Sequence, residues 1–113
     1  MQPSTPRPET QVAELIERMG SVDRLERVQA AVELVHLGRR GRPAAQALIA
    51  ALCDVDEGVR RRAAVALGQY GPEAATAVPV LRDALHDPDA GVRSFAATAL
   101  TLIDPPSLRR QAA

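Results

Sequence analysis

The sequence predicts an all-helical stack of three α-helical hairpins, and three observations carry that prediction. A register of 33 residues runs along the chain, apolar positions recur at helical rather than strand spacing, and turn residues fall at matching places in each unit. In that register Leu15, Leu48 and Leu81 coincide, as do Met19, Leu52 and Leu85; Asp23, Asp56 and Asp89; and Arg27, Arg60 and Arg93. Further along, Ala30, Ala63 and Ala96 align, then Ala31, Ala64 and Ala97, then Leu34, Leu67 and Leu100, then Leu37, Tyr70 and Ile103. So many matches at one offset mark repeated copies of one structural unit.

The elements follow from this punctuation. Within the middle unit, Leu48, Ile49 and Leu52 form one apolar stripe, and Val59, Ala63, Ala66, Leu67 and Tyr70 form another. Asp54, Asp56 and Gly58 separate the two stripes, and Asp87, Pro88, Asp89 and Gly91 do the same in the third unit, supplying turn and N-cap chemistry to the following helix. Gly71-Pro72 and Asp104-Pro105-Pro106 stop the second helices of units two and three, and Gly38 or Gly41 stops that of unit one. Helices are therefore expected at about 9–19, 24–37, 43–53, 57–70, 74–86 and 90–103. The expected domain is residues 9–105, in units of about 9–41, 42–72 and 73–105. Residues 1–8, interrupted by Pro3, Pro6 and Pro8, and residues 106–113 are expected to be loose tails.

Composition narrows the function. Arginine supplies all 14 basic residues, 14 acidic residues balance them, and the formal charge is zero. No whole-molecule field draws the chain to nucleic acid or to an anionic membrane. No apolar run reaches the roughly 18 residues of a membrane span, and the opening MQPSTPRPET has no apolar signal core, so a soluble cytoplasmic protein is expected. Cys53, at the end of the apolar stretch ALIAALC, reads as a small buried hydrophobe.

No catalytic set emerges. His36 and His86, the only histidines, fall in different columns with no metal-ligand spacing to a Cys or carboxylate, and no glycine is followed by the Lys-Ser/Thr of a phosphate loop. No cofactor, metal or catalytic residue is expected. Two basic clusters stand out: Arg39, Arg40 and Arg42 between units one and two, and Arg60, Arg61 and Arg62 at the start of the fourth helix. Because positive charge at a helix N-terminus opposes the dipole, Arg61 and Arg62 read as candidates for an anion or an acidic partner. Asp56 and Arg60, like Asp89 and Arg93, stand four apart at a helix start, where Asp satisfies free amides and Arg reaches carbonyls or a carboxylate in the adjacent turn.

The segments VRRRAAVALGQYGPEAATAVPVLRDAL and VRSFAATALTLIDP, each preceded by an Asp and a Gly, resemble the short bacterial variety of HEAT repeats over about residues 9–105. Unit one departs, with Arg24-Leu25-Glu26-Arg27 where the family usually shows Val-Arg after a Gly. Ankyrin and tetratricopeptide repeats have similar periods, but T-P-L-H and the fixed aromatics are missing; Tyr70 and Phe95 are the only aromatic residues. The resemblance implies a right-handed α-α superhelix, or solenoid, with the second helix of each hairpin lining the concave side. It also implies a ladder of Asp–Arg contacts joining successive turns. On that concave side would stand Gln29, Val32 and His36 of unit one, Arg61, Arg62, Val65 and Gln69 of unit two, and Phe95, Thr98 and Leu102 of unit three. Such an apolar strip with polar flanks suits a protein partner, so the expected function is a non-catalytic protein-binding module or small scaffold. Two alternatives are nucleic-acid or anion binding through the Arg clusters, and a subunit of a lyase-type or other enzyme complex. The terminal helix, GVRSFAATALTLI, is apolar on more than one side and suggests a homodimer or docking of this end onto a larger partner.

Overall fold

The computed structural model describes residues 8–105, and within them every regular element is helical. Of the expected tails at 1–8 and 106–113, Pro8 instead opens α1, where a missing amide donor costs nothing, and the rest lie outside the described residues. Six α-helices follow one another: α1 (Pro8–Met19), α2 (Arg24–Leu37), α3 (Ala45–Ala51), α4 (Glu57–Tyr70), α5 (Val78–Ala84) and α6 (Ala90–Ile103). They form three hairpins, α1–α2, α3–α4 and α5–α6.

Local chemistry sets the second helix of each hairpin. Asp23, Asp56 and Asp89 have extended backbones, and their carboxylates accept from the free amides of Leu25, Val59 and Val92 respectively. At the other end Gly38 and Gly71 take positive φ, 57° and 64°, where a side chain would be strained. Their amides close back onto the carbonyls of Val35 and Gly68. Gly38, not Gly41, therefore stops α2. Gly41 serves packing instead, since a Cβ there would lie 2.7 Å from the Tyr70 hydroxyl.

The first helix of unit one is found as expected, but those of units two and three are shorter than the sequence suggested. In place of helices at 43–53 and 74–86, 3-10 segments Gly38–Ala44 and Gly71–Ala77 precede the seven-residue helices α3 and α5. Pro43 and Pro72 remove amide donors in these stretches, and the Ala74 backbone leaves the helical region at φ −98°, ψ 28°. Tighter 3-10 winding brings each following helix back over the core within seven residues.

Packing follows the register. Leu15, Leu34, Leu48, Leu67 and Leu81 are fully buried, alternating with fully buried Ala30, Ala31, Ala63, Ala64 and Ala96 that let the helices approach. Each buried leucine contributes roughly 1.5–3 kcal/mol. The helices α2, α4 and α6 pack side by side, whereas α1, α3 and α5 touch one another little, so the second helices form the close-packed inner layer. The α4–α6 seam is the most extensive, and Gly68 permits it: a Cβ there would lie 3.1 Å from the Ala99 Cα.

One expectation about burial fails. Cys53 is exposed, in the turn after α3. Its register partners Gly20 and His86 are exposed as well, so the column, rather than the neighbouring apolar stretch, was the informative signal.

Tyr70 is the largest buried side chain, and its hydroxyl has no hydrogen-bond partner among the described residues. Desolvation pushes that hydroxyl up to about 12. Since a buried hydroxyl without a partner costs about 1–3 kcal/mol, Tyr70→Phe is expected to raise unfolding free energy by about 1 kcal/mol in urea titrations. A loss of stability of that size would mean that the hydroxyl is satisfied in solution.

Candidate protein-binding face and the charge ladder

Between the hairpins the turns are tied by paired charges. Arg27 donates through Nε to Asp54 at 2.9 Å, and Arg60 donates through Nε and NH2 to Asp87 at 2.9 and 3.0 Å. In each case the arginine belongs to one hairpin and the aspartate to the next, 27 residues later. Meanwhile NH1 of each arginine holds its own turn: Arg27 on the Ser21 and Val22 carbonyls, Arg60 on the Asp54 carbonyl. Arg60 thus reaches forward to Asp87 rather than pairing within its own turn to Asp56. Asp54 and Asp87 also accept from the amides of Asp56 and Asp89, fixing the turn that presents the N-cap.

A second rung lies beside the first. Arg61 grips Asp89 with Nε and NH2 at 2.8 and 2.6 Å, and Arg24 pairs with the buried Asp56. Unit one has Val28 in the Arg61 column, so Arg24 enters from one turn earlier to do the same work. The Arg61 bridge holds the Asp89 carboxyl well below the usual carboxylate range, with the Val92 amide adding to it. The Arg24 bond likewise lowers Asp56, against the opposing effect of burial. These contacts form the ladder that the resemblance implied, and they give Arg61 a stabilising partner in Asp89 that offsets its place near the helix N-terminus. Arg62 donates through NH1 to the Gly58 carbonyl at 3.0 Å and has no carboxylate partner among the described residues. Of the other cluster, Arg39 and Arg42 converge on the two oxygens of Glu73 at 2.7 and 3.0 Å.

The predicted groove residues divide between clefts. One cleft of about 280 Å³ runs across all three second helices and is lined by Val35, Arg61, Arg62, Val65 and Phe95. Adjoining it, Val65, Gln69, Phe95, Thr98 and Leu102 surround a second cleft of about 230 Å³, floored by Gly68 and Ala99. Phe95 is 42% exposed and Leu102 51%, both large for apolar side chains. Gln29, Val32 and His36 do not join them: with Val28 and Glu33 they line a separate depression on α2 alone. Reading columns missed Val35 and Gly68, which share a column with Thr101. That alternation of large, absent and polar side chains was the available sign that the cleft deepens between α4 and α6.

Among the described residues no group of three or more His, Cys, Asp or Glu is placed to hold a metal ion. Both histidines are exposed. No described helix is long and apolar enough to cross a membrane.

Stacked hairpins, capped by aspartates and stitched by arginine–aspartate rungs, define an α-solenoid repeat protein. The chain belongs to the HEAT repeats family, whose model matches residues 12–101. No curated protein matches this chain. Repeats of this family generally mediate protein–protein interaction or scaffolding.

Proposed function

We propose that this chain is a non-catalytic binding module, with residues 9–105 acting as one domain of three units at about 9–41, 42–72 and 73–105. Its inner face takes a protein segment that presents an apolar side chain to Val65, Phe95 and Leu102 and a carboxylate to Arg62. The observation that carries the reading is the exposure of Phe95 and Leu102 over an apolar floor that spans two hairpins. Apolar surface of this kind, rimmed by polar side chains, is what protein partners cover. Arg62 supports the acidic neighbour, because its guanidinium stands at the rim with donors to spare. Gln29, Val32 and His36 would extend the contact only for a partner long enough to reach the separate depression on α2. Nucleic acid is favoured less, since Arg39, Arg42, Arg61 and Arg60 are already engaged by carboxylates and one aromatic offers little stacking. The cytoplasm is the compartment in which we place the module.

Affinity capture from the native host, followed by titration of the purified candidate, tests the reading. Phe95→Asp is expected to weaken that partner by about a hundredfold, as hot-spot aromatics at an interface centre do, and Arg62→Glu by about tenfold. Val22→Asp, fully exposed on a distant turn, serves as the control. Equal affinity for wild type and Phe95→Asp would remove the inner face as the binding surface. Pairing of two copies through the exposed residues of α6 is the other occupant, and sedimentation velocity with wild type and Phe95→Asp reads it directly.

A further inference from the structure

We infer that the outer surface of α5 and α6, at the C-terminal end of the described stack, docks a helical hairpin whose leading turn presents an aspartate to Arg93. This surface is distinct from the inner face and does not depend on that reading. The inference starts from Arg93. Its NH1 donates to the Asp87 and Pro88 carbonyls at 2.7 and 3.1 Å, the same hold on its own turn that Arg27 and Arg60 have. In those two arginines the remaining edge, led by Nε, clasps the aspartate of the next hairpin. In Arg93 that edge meets no carboxylate among the described residues, and the side chain is exposed. A guanidinium already oriented by two carbonyls, with its free edge outward, is pre-organised for a bidentate carboxylate.

Around Arg93 the apolar half of an interface is present too. Ala31 and Ala64 are fully buried, but Ala97 in the same column is exposed; Leu34 and Leu67 are fully buried, but Leu100 is half-buried. Leu52 is 4% exposed and Leu85 36%. These residue types are buried in units one and two because a following hairpin covers them. On α6 and α5, Leu85 and Leu100 border a cleft of about 360 Å³ whose remaining lining is Arg82, His86, Thr101 and Asp104. The chemistry of the missing half can be read from the interior: Asp54 and Asp87 on the turn, Val59 and Val92 one turn into the helix, Ala66 and Ala99 two turns further.

A second copy stacked head to tail does not supply that half. Its N-terminal face has Ser21 where the aspartates stand, and exposed Glu26 and Glu33 where the buried Val59 and Ala66 stand. Stacking would leave Arg93 facing the Ser21 hydroxyl, which already donates to Glu26, and would bury the Glu26 carboxylate and the Arg18–Glu33 ion pair against apolar surface, which is unfavourable. The two ends are therefore unlike: the first is closed by charge, and the second keeps the socket. The occupant that fits is a different helical hairpin, with an aspartate in its leading turn and small apolar residues on its facing helix.

The test converts a copy of this chain into such a hairpin. The probe carries Ser21→Asp, Glu26→Val and Glu33→Ala, which reproduce the receiving face of unit two, and Arg93→Glu, which closes its own socket. Mixed with the unaltered chain, the probe is expected to form a one-to-one complex of twice the 12.0 kDa chain mass in sedimentation velocity. Arg93→Glu in the unaltered chain should weaken that complex by about a hundredfold. A second probe with Glu26→Gln and Glu33→Gln exposes no new apolar surface and so keeps the fold; its weaker binding should show the same dependence on Arg93. Absence of a complex with a probe shown by circular dichroism to be folded overturns the inference, as does a complex indifferent to Arg93. If instead the unaltered chain dimerises alone and Arg93→Glu abolishes it, the occupant is a second copy and the assignment to a different hairpin is wrong.

Discussion

Leu67→Ala is expected to lower the unfolding free energy by about 3–4 kcal/mol, read from urea titration followed by circular dichroism. Leu67 is fully buried in α4, the helix that packs against both α2 and α6. Its loss removes the transfer free energy of three carbons and leaves a cavity in the close-packed interior that relaxes only in part. Against a total of about 5–15 kcal/mol for a domain of this size, the effect should also bring a fall in Tm of well over ten degrees. Leu100→Ala provides the internal comparison, because it shares the column but is only half-buried. Its cost should stay near 1 kcal/mol, since partly exposed apolar area contributes in proportion to what is removed from water. Equal costs would mean that something covers Leu100 in solution, and so would favour an occupied end face.

Asp87→Asn should cost about 2 kcal/mol at neutral pH, with a distinctive dependence on acidity. Asp87 joins the second and third hairpins through both carboxylate oxygens and also accepts from the Asp89 amide at 2.9 Å. Burial raises its carboxyl, but the Arg60 hydrogen bonds and the Asp89 amide outweigh burial and leave it below the ordinary value. A carboxyl lowered in the folded state contributes stability that is fully present above the unfolded value of about 3.9 and is lost as pH falls through the folded one. Asp56 and Asp89 are lowered in the same direction, so the wild type should weaken steadily below about pH 4. Asparagine at 87 cannot titrate, so the difference between variant and wild type should shrink toward pH 3. A difference that stays constant with pH would assign the loss to the turn rather than to the charge pair.

What was legible from residue types alone was everything set within a few residues. The repeat of 33, the three aspartate N-caps and the starts and stops of α2, α4 and α6 follow from local hydrogen bonding and side-chain volume, and the sequence stated them to the residue. The short first helices were harder, because Gly38–Ala44 and Gly71–Ala77 are helical in a tighter form that apolar periodicity does not separate from α-helix.

The tertiary structure decided the rest. Asp56 and Arg60 are four apart, and the carboxylate that Arg60 reaches in the adjacent turn is Asp87, because stacking brings that turn within 3 Å of a guanidinium already held on the Asp54 carbonyl. Ala64 and Ala97 are the same residue in the same column, one buried and the other exposed, because only one has a following hairpin over it in the described stack. The residues expected on the inner side of α4 and α6 line adjoining clefts, whereas Gln29, Val32 and His36 line a separate depression on α2. Packing depth between α4 and α6 rests on Gly68 meeting Ala99 across the seam, where α2 offers Val35 instead. Periodicity specifies which side chains a unit owns; which neighbour each side chain meets depends on how two units approach, and that approach is a property of the pair.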